Sequence, residues 1–166
     1  MRRVGILGGG QLGRMLLQVA ANYPVETFVM ENDPGCPAAH LCHHFVKGDI
    51  ANFADVYNFG KNLDALTIEI ESVNVEALQK LEEEGVKIFP RPSALATIKN
   101  KILQKQFYAS IQVPSHSFVI TGNKAELKNQ ADFLPAVHKI AMGGYECRGV
   151  GIMKNEKGTK GNTYIE

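Results

Sequence analysis

The chain has 166 residues, 45% of them hydrophobic and 21% charged, with 18 lysines and arginines against 17 aspartates and glutamates. That length holds one ordinary core and part of a second, and the apolar fraction excludes a disordered segment. A net charge of +1 excludes a strongly basic nucleic-acid binder or a polybasic membrane anchor, and no apolar run approaches the roughly 20 residues that span a bilayer.

Val4-Gly5-Ile6-Leu7 is a short apolar run ending in glycines and reads as a buried strand. From Gln11 to Ala21, Leu12, Met15, Leu16 and Val19 recur at helical spacing, so a helix follows directly. Glu26–Met30 is a second strand, closed by the turn Glu31-Asn32-Asp33-Pro34-Gly35. His44–Val46 is a third strand, Phe53–Phe59 a helix, Asp64–Ile68 a fourth strand and Val75–Leu81 an amphipathic helix stopped near Gly85. Val86–Phe89 is a fifth strand, closed by Pro90 and Pro92. This alternation predicts βαβ units, a parallel sheet and helices on both faces.

Ser93 reads as the N-cap of a helix through Ile98, and Asn100–Ala109 as another helix. Beyond Ile111-Gln112-Val113-Pro114 the texture becomes α+β. Ser117–Ile120 is expected to be a strand, Lys124–Gln130 a helix, and Ala136–Ile140 a strand. A glycine-rich loop, Gly143 to Gly149, leads to a last strand, Val150–Met153. The lysines 154, 157 and 160 mark a solvated turn. Met1-Arg2-Arg3 is basic like a signal-peptide start, but Gly8-Gly9-Gly10 interrupts the apolar stretch, so secretion is not expected. Three cysteines (Cys36, Cys42, Cys147) are few and odd in number, which fits a reducing cytoplasm.

Gly8, Gly10 and Gly13 match G-x-G-x-x-G between a strand and a helix. Glycines let the backbone approach a phosphate, and the helix N-terminus offers free N–H groups. Glu31 stands where a dinucleotide fold places its ribose-binding acid. Three readings stay open at this point: an NAD-type site, a phosphate or small-substrate site without a dinucleotide, and a structural tight turn. Glu69-Ile70-Glu71 follows the fourth strand, and alternation would send both carboxylates to one side, at the end of the sheet where such folds bind ligands. A solvated strand end is the plainer alternative.

Lys139, on a strand, precedes Gly143-Gly144-Tyr145-Glu146-Cys147-Arg148-Gly149, an arrangement that can cover a nucleotide. It lacks the G-K-[ST] ending of a Walker loop, and a hairpin with a chance lysine is the alternative. Cys36, His40, Cys42, His43 and His44 could supply metal ligands, but their spacing fits no standard zinc pattern. Both cysteines and His40 could equally lie on a short helix packed under the sheet. Cys147 has no identifiable base beside it to make it a nucleophile.

Taken together these segments resemble one family. Gly5-Ile6-Leu7-Gly8-Gly9-Gly10-Gln11-Leu12-Gly13-Arg14-Met15-Leu16 is similar to the opening of the ATPase subunit of phosphoribosylaminoimidazole carboxylase, also called 5-(carboxyamino)imidazole ribonucleotide synthase, an ATP-grasp ligase. Asp33-Pro34 with Pro37-Ala38-Ala39 fits the segment after its second strand. Leu66–Val73 resembles its T-x-E-x-E-x-V segment, Phe89-Pro90 with Pro92-Ser93 and Lys101–Gln106 its linker, and Lys139 with Gly143-Gly144-Tyr145 its nucleotide loop.

The resemblance implies a fold and a reaction. A Rossmann-like pre-ATP-grasp domain would occupy residues 1–92. Linker helices and an incomplete α+β ATP-grasp subdomain would occupy 93–166. ATP would activate bicarbonate as carboxyphosphate, and the amine of 5-aminoimidazole ribonucleotide would be carboxylated in purine biosynthesis, with Mg2+ bridging the phosphates. Carried over by position, Lys101, Lys139, Gly143, Gly144, Tyr145, Glu146, Cys147, Arg148 and Gly149 would bind ATP. Gly10, Gln11, Leu12, Glu69 and Glu71 would bind the ribonucleotide.

The family loop usually reads Gly-Gly-Tyr-Asp-Gly-(Lys/Arg)-Gly, whereas Glu146 and Cys147 stand here, which is expected to loosen closure over ATP. The magnesium ligands of the family are expected beyond Glu166, so this chain is expected to be inactive or nearly so alone. The family often forms dimers, and no nucleic-acid or membrane partner is implied. The competing functions are an NAD(P)-dependent oxidoreductase domain and a non-catalytic ribonucleotide-binding module.

Overall fold

Five short apolar runs form the five strands of one parallel sheet: β1 (Arg2–Leu7), β2 (Val25–Glu31), β3 (His44–Lys47), β4 (Ala65–Ile68) and β5 (Lys87–Phe89). Their order is β3-β2-β1-β4-β5. The computed structural model describes residues 1–143 and 149–154. It divides the chain into two units, Met1–Ala96 and Thr97–Glu166.

The first unit is the expected doubly wound α/β layer. The crossover helices are α1 (Gln11–Ala20), α2 (Phe53–Gly60) and α3 (Val75–Glu83). Alternation along the strands splits the core in two. Leu7, Met30 and Leu66 point to one face, where they meet Val56 and Phe59 of α2 and Ala77, Leu78 and Leu81 of α3. Ile6 and Val29 point to the other, where they meet Leu17 of α1 and Ala38.

Helix α1 packs by a face other than its apolar stripe. Leu12, Met15, Leu16 and Val19, the stripe that marks the helix in the sequence, are 63%, 51%, 43% and 58% exposed. The buried face consists of Gly13 and Leu17, four residues apart. Here a missing side chain forms the packing surface, because α1 lies close against the loop from which it starts.

Asn52 and Asn74 cap α2 and α3, accepting from the backbone N–H of Asp55 and Ala77 at 3.1 and 2.9 Å. Asn74 also donates through Nδ2 to the Ala51 carbonyl (3.1 Å), and its own N–H reaches the Ile50 carbonyl. Asn74→Ala therefore breaks a cap and a loop tie together. It is expected to lower unfolding free energy by about 1–2 kcal/mol, more than Asn52→Ala, as measured by urea denaturation.

Helix α4 (Pro92–Lys99) starts one residue before the expected cap. The Arg91 carbonyl accepts from the N–H groups of Ala94 and Leu95, which leaves Ser93 inside the first turn. Proline is suited to that first position because it has no N–H to leave unsatisfied.

In the second unit, Asn100 caps α5 (Lys101–Ser110), its Oδ1 accepting from the N–H groups of Ile102 and Leu103. The helix expected over Lys124–Gln130 forms as a short α6 (Lys124–Lys128), and a 3-10 turn (Ala131–Phe133) follows it. β6 (Ala136–Lys139) and β7 (Val150–Met153) pair antiparallel, with Lys139 opposite Val150. The strand expected at Ser117–Ile120 does not form. Phe118 is half-buried under the Lys105 ammonium, 5.7 Å from its ring centre, while Ser117, Val119 and Ile120 are exposed and enter no ladder.

Candidate functional site

The strand order reverses between β1 and β4, and open α/β sheets bind ligands in the crevice at that point. The two loops that leave there are Gly8-Gly9-Gly10, leading into α1, and Glu69-Ile70-Glu71. Register holds the loops together. Leu7 pairs with Met30 on one side and Ile68 on the other, the Gly8 N–H donates to Met30 O (3.0 Å), and the Glu69 N–H donates to Leu7 O (2.8 Å).

The glycines are required by what surrounds them. Gly8 has φ of +100°, a conformation that a side chain resists. A Cβ at Gly10 would lie 2.6 Å from Glu69 Oε1, and one at Gly13 would lie 2.9 Å from the Gly8 carbonyl oxygen. A Cβ at Gly9 would run into Cys36 Sγ. The Glu69 carboxylate therefore lies directly against the turn that opens α1. Gly10 is the N-cap, and its carbonyl accepts from Arg14 N–H at 3.0 Å. Gln11 and Leu12 follow in the first turn with exposed side chains. Their N–H groups precede the first intrahelical bond.

Glu71 departs from the expected alternation. β4 ends at Ile68, and residues 69–71 form a bend, so period-2 geometry no longer places the two carboxylates together. Glu69 is the one brought to the glycines, while Glu71 lies half-buried further along the bend.

Glu31 is also committed to the loop. Its Oε2 accepts from Gly9 N–H (3.1 Å) and its Oε1 from Asn32 N–H (2.8 Å). The Gly9 carbonyl accepts from Ala38 N–H at 2.9 Å. Sequence reasoning gave Ala38 no part in the loop. Its signal is a fully buried small residue where a closely approaching backbone leaves no room for more.

The Cys36–His44 stretch consists of turns and the start of β3, not a helix. Cys36 is buried behind Gly9. Burial pushes the Cys42 thiol up, which disfavours the thiolate a metal needs. His43 Nδ1 accepts from Thr27 N–H (3.1 Å) and lies 2.8 Å from Thr27 Oγ1. His44 stacks on Phe28 and meets Glu26 at 2.7 Å. These side chains tie β3 to β2. Among the described residues no group of three or more His, Cys, Asp or Glu is arranged to hold a metal.

In the second unit, Lys101 and Lys139 are exposed. The Lys101 N–H donates to Ala141 O (2.8 Å), which brings the start of α5 to the loop that follows β6. The Ile140 N–H donates to Gly149 O (2.9 Å) and closes the loop's ends, with Gly143 and Gly149 at φ of +78° and +73°. Gly144, Tyr145, Glu146, Cys147 and Arg148 lie outside the described residues. A shallow depression of about 330 Å³ elsewhere in this unit is lined by Lys105, Ser115, His116 and Phe118 and by none of the candidate residues. No helix among the described residues is long and apolar enough to cross a membrane.

Comparison with known proteins gives a consistent set of relatives. The chloroplastic phosphoribosylaminoimidazole carboxylase of Vigna aconitifolia is 35% identical over 157 residues, 93% of this chain and 28% of that protein. The N5-carboxyaminoimidazole ribonucleotide synthetase of Thermotoga maritima superposes with a TM-score of 0.85 at 30% identity, covering 95% of this chain and 42% of that one. The N5-carboxyaminoimidazole synthase of Aspergillus clavatus, solved with ADP and 5-aminoimidazole ribonucleotide, gives 0.79 at 32% identity, covering 94% and 41%. The chain thus spans less than half the length of each of these relatives. Residues 1–99 match the family described as the ribonucleotide synthetase preATP-grasp domain. With its glycine loop and Glu69 at the β1–β4 switch point, the chain belongs to the ribonucleotide synthetase pre-ATP-grasp family.

Proposed function

We propose that this chain supplies the substrate-side domain and the start of the nucleotide-binding part of an ATP-dependent ligase that carboxylates 5-aminoimidazole ribonucleotide with bicarbonate. Residues 1–92 form the substrate-side domain and 93–166 the linker and the ATP-grasp portion. The observation that carries the reading is the Glu69 carboxylate held against Gly8 and Gly10 at the mouth of α1.

A carboxylate there accepts hydrogen bonds from the amine or hydroxyls of a ribonucleotide. The N–H groups of Gln11 and Leu12 donate to its oxygens, and Gly10 allows the close approach. Glu71 lines the same loop further out. Lys101, Lys139 and the Gly143–Gly149 loop bind ATP. Their support is the backbone tie between Lys101 and Ala141 and the lysine's place on β6. Mg2+ would offset charge on the ATP phosphates, with ligands outside the described residues.

Isothermal titration of the chain with 5-aminoimidazole ribonucleotide tests the reading. Glu69→Gln keeps the shape and removes the charge. It is expected to weaken binding about tenfold or more, since hydrogen bonds to a charged group contribute roughly 1.5–3 kcal/mol. Equal affinity of variant and parent would rule out Glu69 as a substrate ligand.

A further inference from the structure

We infer that Glu31, acting through the backbone of Gly9, sets the ligand class of the glycine loop: it shuts phosphate out of a turn whose sequence reads as a dinucleotide motif. A G-x-G-x-x-G turn holds pyrophosphate with backbone N–H groups, free glycine surface and the positive end of a helix. The first two of those features are altered here. Glu31 Oε2 already occupies the Gly9 N–H at 3.1 Å. The Gly8 N–H is used by Met30 O and the Gly9 carbonyl by Ala38 N–H, so the turn cannot rotate to offer other donors without breaking these bonds. On the opposite side, Glu69 fills the surface of Gly8 and Gly10, its oxygens 2.9 and 2.6 Å from where their Cβ atoms would be.

A phosphate entering this turn would meet two carboxylates and lose a donor. An amine or hydroxyl would meet acceptors. Each Glu31 oxygen accepts a backbone N–H group, which holds the carboxylate at the loop and leaves it fewer lone pairs for a nucleotide ribose. Glu31 is thus a positioning residue. It fixes Gly9 and, by its charge, selects against anions. The identity of the ligand that does enter rests on the ribonucleotide reading above; the exclusion of phosphate does not. For a ribonucleotide, the exclusion requires that the sugar or amine face the glycines and the phosphate point away from them.

The test follows backbone amide shifts of Gly9, Gly10 and Gln11 in the nitrogen-15-labelled 166-residue chain, titrated separately with inorganic pyrophosphate, NAD+ and 5-aminoimidazole ribonucleotide. In the parent protein, millimolar pyrophosphate and NAD+ are expected to leave these amides unmoved. Glu31→Ala frees the Gly9 N–H and is expected to bind pyrophosphate at the loop about tenfold more tightly or better. Glu31→Gln keeps an acceptor for Gly9 and removes the charge, so an intermediate gain is expected, and this variant carries the test if the alanine variant fails to fold. Saturation of the parent's loop amides by NAD+ would overturn the inference. So would folded variants that gain no anion binding. A parent that binds neither NAD+ nor the ribonucleotide, while the variants gain pyrophosphate, would strike the proposed substrate and leave the exclusion standing.

Discussion

Gly13→Ala is expected to destabilise the first unit by about 1–2 kcal/mol and to remove ribonucleotide binding with it. Two effects oppose each other at this position. Alanine inside a helix gains up to about 1 kcal/mol over glycine in propensity. Against that, the new Cβ would lie 2.9 Å from the Gly8 carbonyl oxygen, closer than such atoms pack. The neighbour is backbone in a turn held on both sides by hydrogen bonds, so it cannot swing away as a side chain would. Overpacking of this kind costs about 1–3 kcal/mol and outweighs the propensity gain. Relief comes by displacing α1, which moves Gln11 and Leu12 away from Glu69. Gly10→Ala provides the contrast. Its Cβ meets the end of the Glu69 side chain, which can rotate. Stability should change little there, while binding should fall because Glu69 has moved. Urea unfolding and ribonucleotide titration of the two variants separate the cases. Parent-like stability of Gly13→Ala would refute the packing account.

The parts of the fold legible in the sequence were those set by local chemistry. Val4–Leu7 and Glu26–Met30 read as strands because each is a short apolar run bounded by turn residues, and both form, extended by one or two residues. Asn100 read as the start of a helix, and its side chain caps α5. The parts that depended on a partner were not legible. The apolar stripe of α1 marks the helix but not its packing face, because periodicity reports spacing while the sheet selects the face, here Gly13 and Leu17. Ser117–Ile120 has the apolar residues of a strand, but a strand exists only where another backbone pairs with it.

The candidate site divides in the same way. Gly8, Gly10 and Gly13 were visible as a pattern, and the structure supplies a steric reason for each. Glu69 and Glu71 looked equivalent because alternation was carried past the end of β4, where a bend cancels it. Glu31 was visible as an acid at the end of β2, but its hydrogen bond to Gly9, 22 residues away, has no signature in spacing. Cys36 and its neighbouring histidines show ligand types in a spacing that fits no standard metal site, but their commitment to Gly9, Thr27 and Glu26 cannot be read from composition.

Leu66→Ala is expected to cost the first unit about 2–5 kcal/mol, a large part of the roughly 5–15 kcal/mol that holds a domain folded. Leu66 is fully buried in the middle of β4, paired with Gly5 of β1 and Ile88 of β5. Its Cδ1 covers Gly5, lying 2.7 Å from where a Cβ on that glycine would be. Truncating Leu66 opens a cavity beside a residue with no side chain to fill it, three residues before Glu69. Gly5→Ala alone should also destabilise, by about 1–3 kcal/mol, because its Cβ would press on Leu66, on Leu63 and on Phe59. The double variant Gly5→Ala/Leu66→Ala should then be more stable than the sum of the two losses predicts, since each change supplies what the other lacks. Residues in direct contact couple by about 0.5–3 kcal/mol. The gain stays partial because Leu63 still crowds the new methyl group. Urea unfolding of the two single variants and the double variant measures the coupling. Strict additivity would show that Gly5 is glycine for some reason other than the leucine packed over it.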